Sequence, residues 1–217
     1  MKTDPVEFIL ANTSLTAPPH VPEIRLHLAD EAHDLWLKTE DELQQIGLQP
    51  PFWAFAWAGG QGLARHVLNH PDCVSGKSVL DFASGSGLVG IAAAMAGARS
   101  VLAVDIDPWA KSAIALNAEV NGVELDFSAE DLVGHPIDQD VVLAGDVFYD
   151  REFAARITVW FDDLLAQGKD IIVGDPGRYY LPKRRLEALG TYEVPVTRAL
   201  EDSEIKRTTV WRFLPSE

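Results

Sequence analysis

The residues best suited to chemistry form a glycine-rich turn, Asp81-Phe82-Ala83-Ser84-Gly85-Ser86-Gly87, between an apolar run at 78–83 and an alanine-rich run at 87–96. Glycine lets backbone approach a ligand without a Cβ, and the helix that follows aims its N-terminal N–H groups at the same place. Asp105 ends the next apolar run, 18 residues past Gly87, where an acid can hold ribose hydroxyls. Gly85-x-Gly87-x-x-Gly90 also fits the dinucleotide fingerprint, and Gly90 reads equally well as a helix-packing glycine. The glycines alone therefore leave two cofactor classes open.

Two further features separate them. Asp81 stands directly before the loop, where a carboxylate opposes a pyrophosphate but suits the ammonium of S-adenosylmethionine (AdoMet). The chain also has one mononucleotide-type half followed by a hairpin, where a dehydrogenase needs a second half. AdoMet is the expected cofactor, with Ala83, Ser84, Gly85 and Gly87 around it, Asp105 on both ribose hydroxyls and Ile106 against the adenine. Asp107, before Pro108, reads as a helix cap. Asp131, after Glu130, is either an acceptor for the adenine amine or a solvated loop charge. Gly145-Asp146 ends a fourth strand, at the carboxyl edge where open α/β sheets bind ligands.

These positions require a frame of alternating elements. Strands are expected at 78–83, 100–105, 123–128, 140–145 and 170–174, and helices at 87–96, 108–120 and 150–166. Such alternation gives parallel strands in a doubly wound sheet. Segments 192–196 and 205–213 have strand character with no helix between them, so they should pair as an antiparallel hairpin. The expected fold is α/β, a Rossmann-like seven-stranded sheet, mostly parallel, with helices on both faces. Residues 1–50 read as an N-terminal elaboration packed on the domain at 51–217. It should hold a short strand at 24–28 and a helix over 31–46, capped by Asp30 and closed by Gly47. An aromatic segment, 52–57, leads through Gly59-Gly60 into a helix ending near Asn69.

Composition narrows the function classes. The 217 residues carry 18 basic and 33 acidic side chains, a net charge of −15, which argues against gripping nucleic-acid phosphates. Half of the basic residues lie in 164–217, leaving the rest strongly acidic. That imbalance reads as a repulsive, soluble, monomeric surface, or as a field that attracts a basic protein segment. No apolar run approaches the ~20 residues that span a bilayer. The start, MKTDPVEFIL, resembles neither a signal nor a transit peptide. Cys73 is the sole cysteine, which points to a reducing, cytoplasmic setting and excludes Cys-cluster metal sites. Ser84 and Ser86 lack the G-x-S-x-G context, Gly76-Lys77-Ser78 lacks the first P-loop glycine, and Asn12-Thr13-Ser14 fits a glycosylation pattern by chance. His66 and His70 have no third ligand, so no metal is expected.

Several blocks together resemble the seven-strand protein-lysine methyltransferases, and within them the branch acting on the electron-transfer flavoprotein β subunit. They are the 51–61 run PFWAFAWAGGQ, Val79-Leu80-Asp81 with the glycine loop, and Asp105-Ile106-Asp107-Pro108. Gly145-Asp146-Val147-Phe148-Tyr149-Asp150 and Gly174-Asp175-Pro176-Gly177-Arg178 complete the set, with Pro22–Leu26 a fainter match. The resemblance implies methyl transfer from AdoMet to a lysine of that flavoprotein subunit, leaving S-adenosylhomocysteine. It puts Asp146 and Tyr149 beside the reacting methyl, and Gly145 and Trp57 against the cofactor. It implies a channel of Trp53, Phe148 and other aromatics for the lysine stem, with Phe55 a wall or plain core. Arg178 would contact the protein substrate or form a surface ion pair. The family loop usually carries glycine where Ala83 stands, which is tolerable if φ there is negative. A small-molecule N-methyltransferase and a non-catalytic AdoMet-binding module remain as other readings.

Overall fold

The computed structural model describes residues 4–29, 50–196 and 204–216. Its elements in chain order are α1 (Pro5–Asn12), β1 (Ser14–Thr16), β2 (Leu26–Leu28), α2 (Ala58–Asn69), β3 (Ser78–Phe82) and α3 (Leu88–Met95). Then come β4 (Ser100–Val104), α4 (Pro108–Asn121), β5 (Asp126–Ser128), β6 (Val141–Gly145), α5 (Arg151–Ala166), β7 (Asp170–Asp175), β8 (Leu186–Pro195) and β9 (Ile205–Phe213). Seven strands form one sheet in the order β5-β4-β3-β6-β7-β9-β8. β5 through β7 run parallel, and β9 pairs antiparallel with both β7 and β8. The expected doubly wound sheet with a reversed hairpin is what forms.

The central strands are almost wholly apolar because both sheet faces are covered. Alternate residues separate to the two sides. Val79, Val101, Leu143 and Ile172 pack with Leu63, Val67 and Ile91 of α2 and α3. Leu80, Val142, Ala144, Ile171 and Val173 pack with Ile157, Trp160, Phe161 and Leu164 of α5. Helix starts follow local chemistry. Asp107 accepts from Trp109 N–H ahead of Pro108, and Asp150 accepts from Phe153 N–H.

Some elements depart from expectation, β5 starting at Asp126 and not at Val123. β8 begins at Leu186 and not near Tyr192, with a register shift between Ala188 and Gly190. It is the edge strand, with a single buried residue, so it carries little hydrophobic alternation to read. The helix α1, capped by Asp4, has no counterpart in the sequence reading. In the N-terminal elaboration, β2 pairs antiparallel with β1. The helix expected over 31–46, with its caps Asp30 and Gly47, lies wholly outside the described residues. Backbone N–H groups of Arg25 and His27 donate to the Asn121 and Asn117 side chains of α4, tying the elaboration to the sheet layer. Among the described residues no helix is long and apolar enough to cross a membrane.

Candidate active site

Four aspartates stand at the carboxyl ends of four adjacent parallel strands: Asp105 after β4, Asp81 in β3, Asp146 after β6 and Asp175 closing β7. Each is fixed by backbone N–H groups. Asp81 is 1% exposed and its Oδ2 accepts Gly90 N–H at 2.9 Å. Burial pushes its carboxyl up to about 7, the Gly90 bond working against that and the charge of Asp105 adding to it. Gly90 is thereby explained: a Cβ there would come 2.9 Å from Asp81 Oδ2. Asp105 receives Gly85 N–H on Oδ2 at 2.8 Å and Asp107 N–H on Oδ1 at 2.9 Å, so it pins the glycine loop to the end of β4. Burial raises its pKa as well.

The loop itself is built from left-handed residues, with Gly85 at φ 52° and Gly87 at φ 79°. Ala83 lies at φ 54°, so the condition under which alanine would replace the family's glycine without strain is not met. The reason is geometric: β3 must turn sharply enough for Ser84 N–H and Oγ to reach Val104 O, each at 3.0 Å. Asn117, fully buried on α4, donates to Ser86 O at 2.8 Å and supports the loop from below. Ile106 is 74% exposed beside this loop, an apolar face open to a ligand.

Asp146 is the second non-glycine residue at positive φ, 58°. That turn brings its Oδ2 to Gly60 N–H at 2.9 Å and its Oδ1 to Arg178 Nε and Nη2 at 3.1 and 2.6 Å. Close backbone contact makes this possible. Side chains at Gly59 or Gly174 would run into each other's carbonyl oxygens, and a Cβ on Gly145 would lie 2.9 Å from Gly60 Cα. Three glycines thus let the start of α2 lie directly on the ends of β6 and β7, with Gly60 N–H delivered to a carboxylate. Asp175 is 1% exposed, and its Oδ1 accepts the N–H groups of Gly177 and Arg178. Burial pushes this carboxyl up to about 6 and Asp146's charge adds to that, while the two N–H bonds and the Arg178 charge work against it.

Several expected residues are placed elsewhere. Trp53, assigned to the substrate channel, is 1% exposed and packs with Ile9, Ala110 and Ile114. Phe148, assigned likewise, is fully buried under α5. Both are core because helices cover them, α1 and α4 over Trp53 and α5 over Phe148. Phe55 is core too. The open aromatic wall consists of Phe52 and Tyr149, about half exposed, with rings 6.1 Å apart. Trp57 lies beside Phe52, its Nε1 donating to Phe52 O at 3.1 Å. Phe52 was not anticipated, since an aromatic run does not reveal which ring faces solvent. Asp131 pairs with Arg156 at 2.9 Å on an exposed loop, which favours the solvated-charge reading over an adenine contact. Arg178 turns inward onto Asp146 and not outward toward a partner. Among the described residues no three His, Cys, Asp or Glu side chains gather to hold a metal.

The arrangement offers a polar cradle at the β3–α3 loop and, one strand over, a carboxylate flanked by exposed aromatics. Comparison with known proteins agrees with that layout. The family model for ribosomal protein L11 methyltransferase (PrmA) matches residues 67–146, from the end of α2 to Asp146. The chain is similar in fold to magnesium protoporphyrin IX methyltransferase from Synechocystis with bound SAM, at 19% identity and a TM-score of 0.53, covering 73% of this chain and 80% of that one. It is 40% identical to the electron transfer flavoprotein beta subunit lysine methyltransferase of Xenopus laevis over 98% of this chain and 88% of that protein. The Rattus norvegicus protein of the same name is 34% identical over 96% of this chain and 84% of its own length. With the sheet, the glycine loop and near full-length identity in agreement, this chain belongs to the electron transfer flavoprotein β subunit lysine methyltransferase family of class I AdoMet-dependent methyltransferases.

Proposed function

We propose that the protein transfers methyl groups from AdoMet to lysine side chains of the electron transfer flavoprotein β subunit. The observation that carries this reading is the row of Asp105, Asp81 and Asp146 along one sheet edge, because it sets a cofactor cradle directly beside an amine-binding carboxylate. The residues fit AdoMet. Asp81 is a buried carboxylate of raised pKa, suited to an incoming ammonium. Asp105 takes one backbone N–H on each oxygen and keeps lone pairs for ribose hydroxyls. Ile106 offers an exposed apolar face for the adenine. AdoMet, when bound, supplies an electrophilic methyl on its sulfonium.

The chain's own residues then have definable tasks. The acceptor lysine, with an ordinary pKa near ~10.4, reaches the site as an ammonium and must lose a proton before it can act as a nucleophile. Asp146 orients the nitrogen through a hydrogen bond, and Tyr149 with Phe52 shields the lysine stem from water. Held in line, such reactants gain up to ~7–11 kcal/mol from proximity, the largest contribution available here. Labelled AdoMet with purified flavoprotein β subunit tests the reading. Label should enter lysines of that subunit, and Asp146→Asn should slow transfer about a hundredfold while AdoMet still binds. Turnover of free nicotinamide with no labelled protein would instead favour the small-molecule reading.

A further inference from the structure

Asp146 and Asp175 terminate neighbouring parallel strands, in register through Gly145 and Gly174. Asp175 Oδ1 accepts the N–H groups of Gly177 at 2.6 Å and Arg178 at 2.7 Å, closing a turn with Gly177 at φ 95°. The turn sends the Arg178 side chain back across the strand ends, where two of its nitrogens meet Asp146 Oδ1. The other Asp175 oxygen is buried and has no hydrogen-bond partner among the described residues. A buried carboxylate is expensive unless a cation lies close by. The Arg178 guanidinium pairs with Asp146, its charge also reaches Asp175, and its carbon is 6.0 Å from the Trp57 ring centroid.

This geometry bears on a difficulty in the chemistry. A bare carboxylate beside a lysine ammonium stabilises the charged form, which has no lone pair to offer. A carboxylate already paired with guanidinium attracts that proton less, yet still accepts a hydrogen bond that orients the nitrogen. We propose that Arg178, aimed by the Asp175 turn, is a positioning residue that neutralises Asp146 so that the acceptor amine beside it gives up its proton near neutral pH. The step is a plain ionisation: an N–H bond of the ammonium breaks, the proton passes to water and the electron pair stays on nitrogen. The inference rests on the reading of Asp146 as the amine-orienting acid.

Among the described residues, the charged side chains facing Asp146 are Arg178 from the loop after β7 and Asp175 from the end of β7. Helix α2 brings the Gly60 N–H and no side-chain charge, since Gly59 and Gly60 form its contact. Arg178 is thus the described cation paired directly with Asp146.

The test compares Arg178→Met with the parent in the pH profile of kcat for methylation of the flavoprotein subunit. The alkaline-rising limb should move up by about one pH unit, so that kcat falls about tenfold at neutral pH and recovers at high pH. Binding of the subunit in the presence of S-adenosylhomocysteine should hold or tighten, because a bare carboxylate welcomes the ammonium. Arg178→Lys should return the limb toward its original position. Arg178→Gln is read in parallel, so that loss of folding with methionine does not decide the matter, and calorimetry of AdoMet binding confirms an intact cradle. In an Asp146→Asn background the Arg178 substitution should add no shift. An unmoved profile with weaker subunit binding would overturn the inference and return Arg178 to a direct substrate contact. Undiminished transfer by Asp146→Asn alone would instead remove the reading beneath it.

Discussion

Asp81 carries its carboxyl at about 7, against an ordinary 3.8, because it is buried under α3. A folded-state pKa above the unfolded one means that the native chain holds the extra proton between about pH 4 and 7. Its stabilising contribution is therefore present at low pH and lost as pH rises through 7. An arriving ammonium reverses the preference, favouring the carboxylate. AdoMet binding should therefore release a proton and tighten between pH 6 and 7.5. Calorimetry at pH 6.5 in two buffers of different ionisation heat checks this, and Asp81→Asn should abolish the proton release. Ala83 provides a second residue-scale test. An alanine at φ 54° bears a cost that glycine avoids. Ala83→Gly should raise the melting temperature by ~2–4 °C, about 1 kcal/mol. The acids and the glycine loop were legible because type and spacing sufficed. Trp53 and Phe148 were not, because burial depends on what packs over a ring. Asp175 was readable in principle, as an acid ending a strand just like Asp146, but its role emerges only from the turn it closes.

At the level of elements, glycines let α2 meet the strand ends backbone to backbone. Gly174→Ala would drive a Cβ into Gly59 O and to 2.7 Å from Leu63 Cβ. Overpacking of this kind should cost about 3 kcal/mol or more, read as a lower urea midpoint with an unchanged slope. Further along α2, His66 is buried against β8, with Nδ1 2.9 Å from the Tyr192 hydroxyl. Burial, with His70 nearby, lowers its pKa to about 4. A depressed histidine pKa means that the unfolded chain binds the proton first, so stability falls as pH drops from about 6.5 toward 4. His66→Phe should flatten that acid limb, by on the order of 1–2 kcal/mol once solvent screening is allowed for. Parallel strands announced themselves as short apolar runs between turn signals. β8 did not, since an exposed edge strand with a register shift has neither a clean period nor an apolar face.

For the whole molecule, the net charge of −15 acts on association more than on fold. If the surplus steers a basic segment, raising salt from 50 to 500 mM should lower kcat/KM for the flavoprotein subunit several-fold and leave kcat nearly unchanged. Stopped-time assays across that range check it, and a flat response would assign the charge to solubility alone. The overall architecture was legible because the order of strands and helices is a one-dimensional pattern. The N-terminal attachment was not. Its link through Asn117 and Asn121 joins residues about ninety positions apart, by bonds that leave no local trace.

The four aspartates also have a metric consequence. Neighbouring strands in a sheet repeat every ~4.8 Å, so β4 to β7 spans three repeats, ~14 Å. The sheet works as a ruler whose divisions are hydrogen-bonded strands, and no surface substitution can rescale it. The separation between cradle and acceptor acid is in that sense quantised. A protein on this frame can change which lysine it accepts only by altering what stands along the edge, such as Phe52, Tyr149 and the turn that aims Arg178.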